Sequence, residues 1–284
     1  MTSASTPGAD ATGGATVLCA TCGVESQEPL PPICPICADE RQWVPAQGQR
    51  WTSVDVQQRD GMRIDVVELE PQLWALTSEP AVGIGQRALL VQTGEGNLLW
   101  DPLGTITDAA VEQVRELGGL RAIAASHPHM FGVQCAWADA LGASVLVNAR
   151  DASWIQRQHA RIELWDDEVD LLPGVRLIRF GGHFPGAAVA LWAAGSGGEG
   201  SLLAGDTIQP KPDRRSVAFM RSYPNNIPLS AAVVRRIADQ AATLRFRRLY
   251  GNIPGQLVED GPEAVARSAE RHIAWVTGEH DDLT

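Results

Sequence analysis

The residues best suited to chemistry in this chain of 284 are histidines, cysteines and acids placed where apolar runs end. The run 121–126 leads straight into His127-Pro128-His129, and imidazoles two positions apart in a loop can turn both rings onto one cation. A third imidazole, His183, follows the run 175–180 within Gly181-Gly182-His183-Phe184-Pro185-Gly186. Gly205-Asp206 follows the run 201–204, and glycine there permits a sharp exit that aims the carboxylate back over a sheet. Three neutral imidazoles and one carboxylate suffice to hold a single zinc or iron with room for a water. Such an ion polarises an ester or amide carbonyl and brings the pKa of a water to about 7. Asp101, which ends the run 97–100 in the same manner, is placed to hold a ligating histidine through its ring N–H.

A second constellation lies near the N-terminus. Cys19-Ala-Thr-Cys22 and Cys34-Pro-Ile-Cys37 each wrap a tight turn around a cation, and four thiolates in tetrahedral array favour structural zinc. Iron suits the same cage. Cys135 stands alone in an apolar setting and reads as a packed core thiol. His159, His272 and His280 lie in polar, helical or terminal contexts and read as surface residues.

The elements that must position these groups follow from apolar periodicity. Short β-rich runs begin at 62–69 and continue at 87–93, 97–101, 121–126, 144–148, 175–180, 187–193 and 201–205. Helical patterns lie at 107–117, from 138 onward, and at 230–244 and 262–276; the last two flank a further strand at 247–251. That order predicts an α/β (α+β) protein with sheets covered by helices. Residues 1–16 are expected as a disordered tail, 17–45 as a cysteine knuckle too short to fold without a staple, 46–61 as a linker, and 62–284 as the main domain.

The series strand-Asp101, His127-x-His129, Gly182-His183-x-Pro185-Gly186 and Gly205-Asp206 resembles the motif order of the metallo-β-lactamase superfamily over roughly residues 62–276. The cysteine pairs followed by Asp39-Glu40-Arg41-Gln42 resemble a bacterial subgroup of fused members. The resemblance implies a four-layer αββα sandwich and a metal-dependent hydrolase. It also implies ligand positions: the superfamily motif H-x-H-x-D-H is here His127-Pro128-His129-Met130-Phe131-Gly132, and a late histidine gives way to Tyr250-Gly251-Asn252. What the resemblance leaves is the first site, His127, His129 and His183 with Asp206, and a degenerate second site. The aspartate that would orient the nucleophilic water has no replacement at Phe131.

The expected function is hydrolysis of a small ester, thioester or amide by a single-metal site, with His127, His129 and Asp206 as the catalytic groups. Two alternatives stand beside it: a mononuclear iron oxygenase acting on thiols or sulfur compounds, and a non-catalytic binding or regulatory protein. A net charge of −11 repels nucleic acid and anionic membrane surfaces, and no run approaches the roughly 20 apolar residues of a spanning helix. Residues 1–14 lack the basic start and apolar core of a secretory signal, so a cytoplasmic protein acting on a small molecule is expected, its oligomeric state left open. The segment 209–221, with Lys211, Arg214, Arg215 and Arg221, is expected to border the site, its arginines either receiving an anionic group or forming a solvated charge run.

Overall fold

The computed structural model describes residues 16–284, so most of the stretch read as a tail lies outside the described residues. Two large sheets dominate. The first has seven strands in the spatial order Ile162–Trp165, Ser144–Asn148, Ala122–Ala124, Gly96–Trp100, Arg87–Thr93, Leu73–Glu79 and Arg63–Glu70. The second has six, in the order Glu168–Leu172, Val175–Arg179, Ala188–Trp192, Ser201–Ala204, Arg248–Tyr250 and Leu257–Val258.

Alternating side chains along the strands create the layers, because successive residues point to opposite faces. Leu89 and Val91 of one strand join Leu98, Trp100, Ala122 and Ala124 against Leu177, Ala188, Ala190 and Trp192 of the other sheet, making the central sheet-on-sheet core. Ala88 and Leu90 face the other way, onto Val111 and Val114 of helix Asp108–Glu116 and Trp137 and Ala138 of helix Gln134–Leu141. On the second sheet's outer face, Ile178, Val189 and Leu202 meet Val234 and Ile237 of helix Ala231–Ala242 and Val265 and Ala269 of helix Gly261–Val276. The result is the four-layer αββα sandwich. Strands buried on both faces explain why stretches such as 88–91 are continuously apolar rather than alternating.

The knuckle is not a separate body on a linker. Trp51–Ser53, within the expected linker, pairs antiparallel with Val17–Cys19, and helix Val54–Arg59 follows, its N-terminus capped by Ser53 Oγ accepting from Val56 N at 3.3 Å. Leu18, Ile36 and Val54 enter the same apolar cluster as Leu90 and Trp137. A three-residue strand with one apolar side chain has no periodicity to read, so a polar stretch passed for a linker. The strand Leu73–Glu79 escaped for a related reason: its alternation is broken by Thr77, Ser78 and Glu79.

No helix among the described residues is long and apolar enough to cross a membrane.

Candidate metal centre

Four side chains from three loops converge at one edge of the sandwich, each loop leaving the C-terminal end of a strand, with His127 and His129 on the same one. The parallel pair Gly96–Trp100 and Ala122–Ala124 brings Asp101 beside Ser126 and His127, and the second sheet supplies His183 and Asp206. The ring centroids of His127, His129 and His183 lie 4.7 to 5.3 Å apart. His129 Nδ1 is 3.5 Å from His183 Nε2, and Asp206 Oδ2 is 3.7 Å from both His127 Nε2 and His183 Nε2. Donors held tetrahedrally at bonds of about 2.1 Å sit about 3.4 Å from one another, so these spacings suit one ion. His127 Nε2 is buried and has no hydrogen-bond partner among the described residues, which is what a nitrogen reserved for a cation looks like.

The surroundings fix each donor. His183 Nδ1 donates to Met220 O at 3.0 Å, leaving the Nε2 lone pair for an ion. Asp206 Oδ1 accepts from Gln209 Nε2 and Asn252 Nδ2, each at 3.3 Å, which turns Oδ2 inward. Burial holds all three imidazoles below their ordinary pKa and so in the neutral form that binds metals. Phe184 packs against all three rings, with centroids 5.8, 4.8 and 5.2 Å from those of His127, His129 and His183.

Asp101 reaches His127 indirectly rather than through the expected direct contact. Its Oδ1 accepts Ser126 N at 2.6 Å, its Oδ2 accepts Ser126 Oγ at 3.1 Å, and that hydroxyl lies 2.9 Å from His127 Nδ1. Asp101 adopts a φ of 55° to do this, and burial pushes its carboxyl up to about 7. The relay allows no bulk nearby: a Cβ on Gly205 would stand 2.1 Å from Ser126 Oγ.

The three positions where the resemblance leads one to expect further ligands have packing roles. Phe131 belongs to the outer apolar cluster with Leu103 and Trp137. At Gly132, where φ is +50°, a Cβ would meet Pro102 O at 2.2 Å, so no side chain fits. Asn252 holds Asp206 and accepts Arg87 N through its own carbonyl at 2.8 Å.

The cysteines form the second metal-capable group. Cys19 and Cys37 sulfurs are 3.6 Å apart and those of Cys22 and Cys34 are 3.8 Å apart, against about 3.8 Å for thiolates around zinc with bonds of about 2.3 Å. Thr21 N and Gln49 Nε2 both donate to Cys19 Sγ. Hydrogen bonding with Cys22 draws the Cys19 thiol down, and the same contact pushes Cys22 up. All five cysteines are free of disulfides, and burial pushes the Cys135 thiol up, consistent with a core residue.

The segment after the cysteines, Asp39 to Gln42, covers the histidine site. Arg41 Nε donates to His183 O at 2.7 Å while its guanidinium stacks 4.1 Å from the Phe184 ring, and Gln42 Nε2 lies 3.1 Å from His129 Nδ1. His127, His129, His183 and Asp206 are 2, 2, 1 and 6% exposed, so the centre is closed. Sequence reading singled out this segment only as a likeness to a subgroup; its spacing carries no sign of contacts 87 and 142 residues away.

The segment 209–221 does border the site, through Gln209, Met220 and the nearby Tyr223, whose hydroxyl donates to Asp206 O at 3.0 Å. Two of its arginines are taken up in ion pairs, Arg214 with Glu259 and Arg221 with Glu40, which fits the solvated-charge alternative better than anion binding. His159, His272 and His280 are half-buried rather than exposed, contacting Asp139, Leu229 O and the Trp275 ring respectively, and none joins the centre.

No family model matches the chain. It is 40% identical over 266 residues to the uncharacterized protein YmaE of Bacillus subtilis (strain 168), covering 92% of this chain and 97% of that one. Among solved structures, it resembles the metallo-β-lactamase DIM-1 with a TM-score of 0.55 at 12% identity, over 76% of this chain and 98% of that one. FIM-1 from Pseudomonas aeruginosa, a metallo-β-lactamase solved in a mono-zinc form, gives 0.53 at 19% identity over 73% and 95%. A B3 metallo-β-lactamase with an active-site glutamic acid gives 0.53 at 16% over 81% and 96%. At such identities these likenesses bear on the fold alone.

Proposed function

We infer that this protein, which belongs to the same family as YmaE and has the metallo-β-lactamase fold, is a metal-dependent hydrolase that works with a single zinc on a small ester, thioester or amide. The observation that carries the reading is the buried set of three imidazole nitrogens and one carboxylate oxygen at ligand spacing, with His127 Nε2 left without a hydrogen-bond partner among the described residues. A bound ion supplies Lewis acidity there, polarising a carbonyl and acidifying a water. The protein's own groups do the rest. His127, His129 and His183 hold and orient; Asp206 Oδ2 faces the same space and is the one group of the four able to take a proton from a water while staying anchored through Oδ1. Phe184 and Tyr223 keep the surroundings dry.

One observation favours a second reading. Four protein donors beneath a closed segment also describe a structural ion, and a non-catalytic binding protein would have the same appearance. Metal analysis together with turnover of ester, thioester and amide panels separates the two. The hydrolase reading expects one ion at the histidines, and turnover that disappears in His127→Ala/His183→Ala while the fold persists. A stoichiometric ion with no turnover on any panel supports the binding protein instead. Iron at the site, with dioxygen consumed on a thiol, would turn the assignment to an oxygenase.

A further inference from the structure

The carboxamide of Gln42 occupies a place that the histidine site alone does not explain. It lies 3.1 Å from His129 Nδ1, the ring nitrogen that is also 3.5 Å from His183 Nε2 and so faces the group of donors. The other ring nitrogen of His129, Nε2, is buried without a hydrogen-bond partner among the described residues. Donors that share an ion with bonds of about 2.1 Å stand roughly 3.0 to 3.5 Å apart, and Gln42 sits at that distance from a donor nitrogen. We propose that Gln42, delivered by the cysteine knuckle, is a fifth ligand of the ion held by His127, His129, His183 and Asp206.

The placement is built into the fold. Gln42 N donates to Asp39 O at 3.0 Å, and Asn225 Nδ2 donates to both Glu40 O and Gln42 O, at 2.7 and 3.2 Å. Ser222 Oγ donates to Arg41 O at 3.3 Å, and Arg41 is tied to His183 O and the Phe184 ring. The backbone is therefore pinned to the loops that carry the ligands. The side-chain amide, by contrast, makes no hydrogen bond other than that to His129 among the described residues. Without a cation, its N–H donates into the Nδ1 lone pair. A cation claims that lone pair and repels the N–H, and a half-turn about the soft terminal torsion presents Oε1 instead.

The inference rests on the metal-site reading and adds a consequence for access. A neutral carboxamide is a weaker donor than a carboxylate, so it is the ligand that a substrate's carbonyl oxygen displaces. Opening the centre then means moving a segment whose anchor is the four-cysteine knuckle.

The test uses the full chain with zinc in the knuckle and cobalt(II) titrated into the histidine site, read by visible absorption. Gln42→Ala is expected to weaken cobalt binding about tenfold or more and to intensify and shift the bands as the ion drops from five donors to four. Gln42→Glu restores the wild-type band shape and binds more tightly, which a purely structural hydrogen bond from Nε2–H would not reproduce. Unchanged bands and affinity in Gln42→Ala, with cobalt still taken up, would overturn the role of Gln42 and leave the metal site standing. If wild type takes up no cobalt beyond the knuckle, both ideas fall.

Discussion

The two metal-capable groups reach the same degree of burial by opposite routes. The cysteine group draws all four donors from the short span 19–37, around a two-stranded turn and a single turn of helix, Pro35–Ala38. The histidine group draws its donors from the ends of strands in both large sheets, supported by Ser126, Met220, Gln209 and Asn252. The first leans on the main core through Leu18 and Ile36, but its own short strands and single helical turn offer little else to hold the four thiols together, so a metal would complete its folding. The second is preorganised by cores that exist without an ion. The comparison teaches that an ion at the first group would complete local structure while one at the second would be received by structure already there, and that Arg41 and Gln42 join the two groups.

Removing the knuckle's metal should break the comparison most severely. Cys19→Ser/Cys22→Ser is expected to expose the span 17–45 to limited proteolysis while the main sheets keep their far-ultraviolet circular dichroism. Because Arg41 and Gln42 lose their anchor, affinity of the histidine site should fall as well, by about tenfold or more. Equal protease resistance with and without metal would contradict a metal-built knuckle. Gly205→Ala comes next: its Cβ collides with Ser126 Oγ, costing about 1 to 3 kcal/mol in denaturant unfolding and displacing His127. Ser126→Ala cuts the relay from Asp101 without adding bulk, so metal affinity should drop about 10- to 100-fold. The smallest effect belongs to Arg221→Ala, which removes a partly exposed pair with Glu40 and should cost less than about 1 kcal/mol, with metal content unchanged.

The convergence of His127, His129, His183 and Asp206 was legible because each sits where an apolar run stops, and His, Gly and Asp at such places have few other uses in combination. The sandwich was legible for the same reason, since runs such as 144–148 are buried on nearly every residue. What escaped depends on distant parts of the chain meeting. Ser126 stood next to His127 in the sequence, yet its place between Asp101 and the imidazole follows from the pairing of Gly96–Trp100 with Ala122–Ala124. Phe184, to which the sequence assigns no role, packs on three imidazoles. The arginines of 209–221 were read by proximity in sequence, and their acidic partners lie elsewhere.

Anomalous diffraction at the zinc edge, on crystals of the full chain grown without chelator, tests the central claim most directly. The account predicts two peaks per chain, one amid Cys19, Cys22, Cys34 and Cys37, the other about 2 Å from His127 Nε2, His129 Nδ1, His183 Nε2 and Asp206 Oδ2. A histidine pocket without a peak under zinc-replete conditions, or with a second ion beside Phe131, would contradict it.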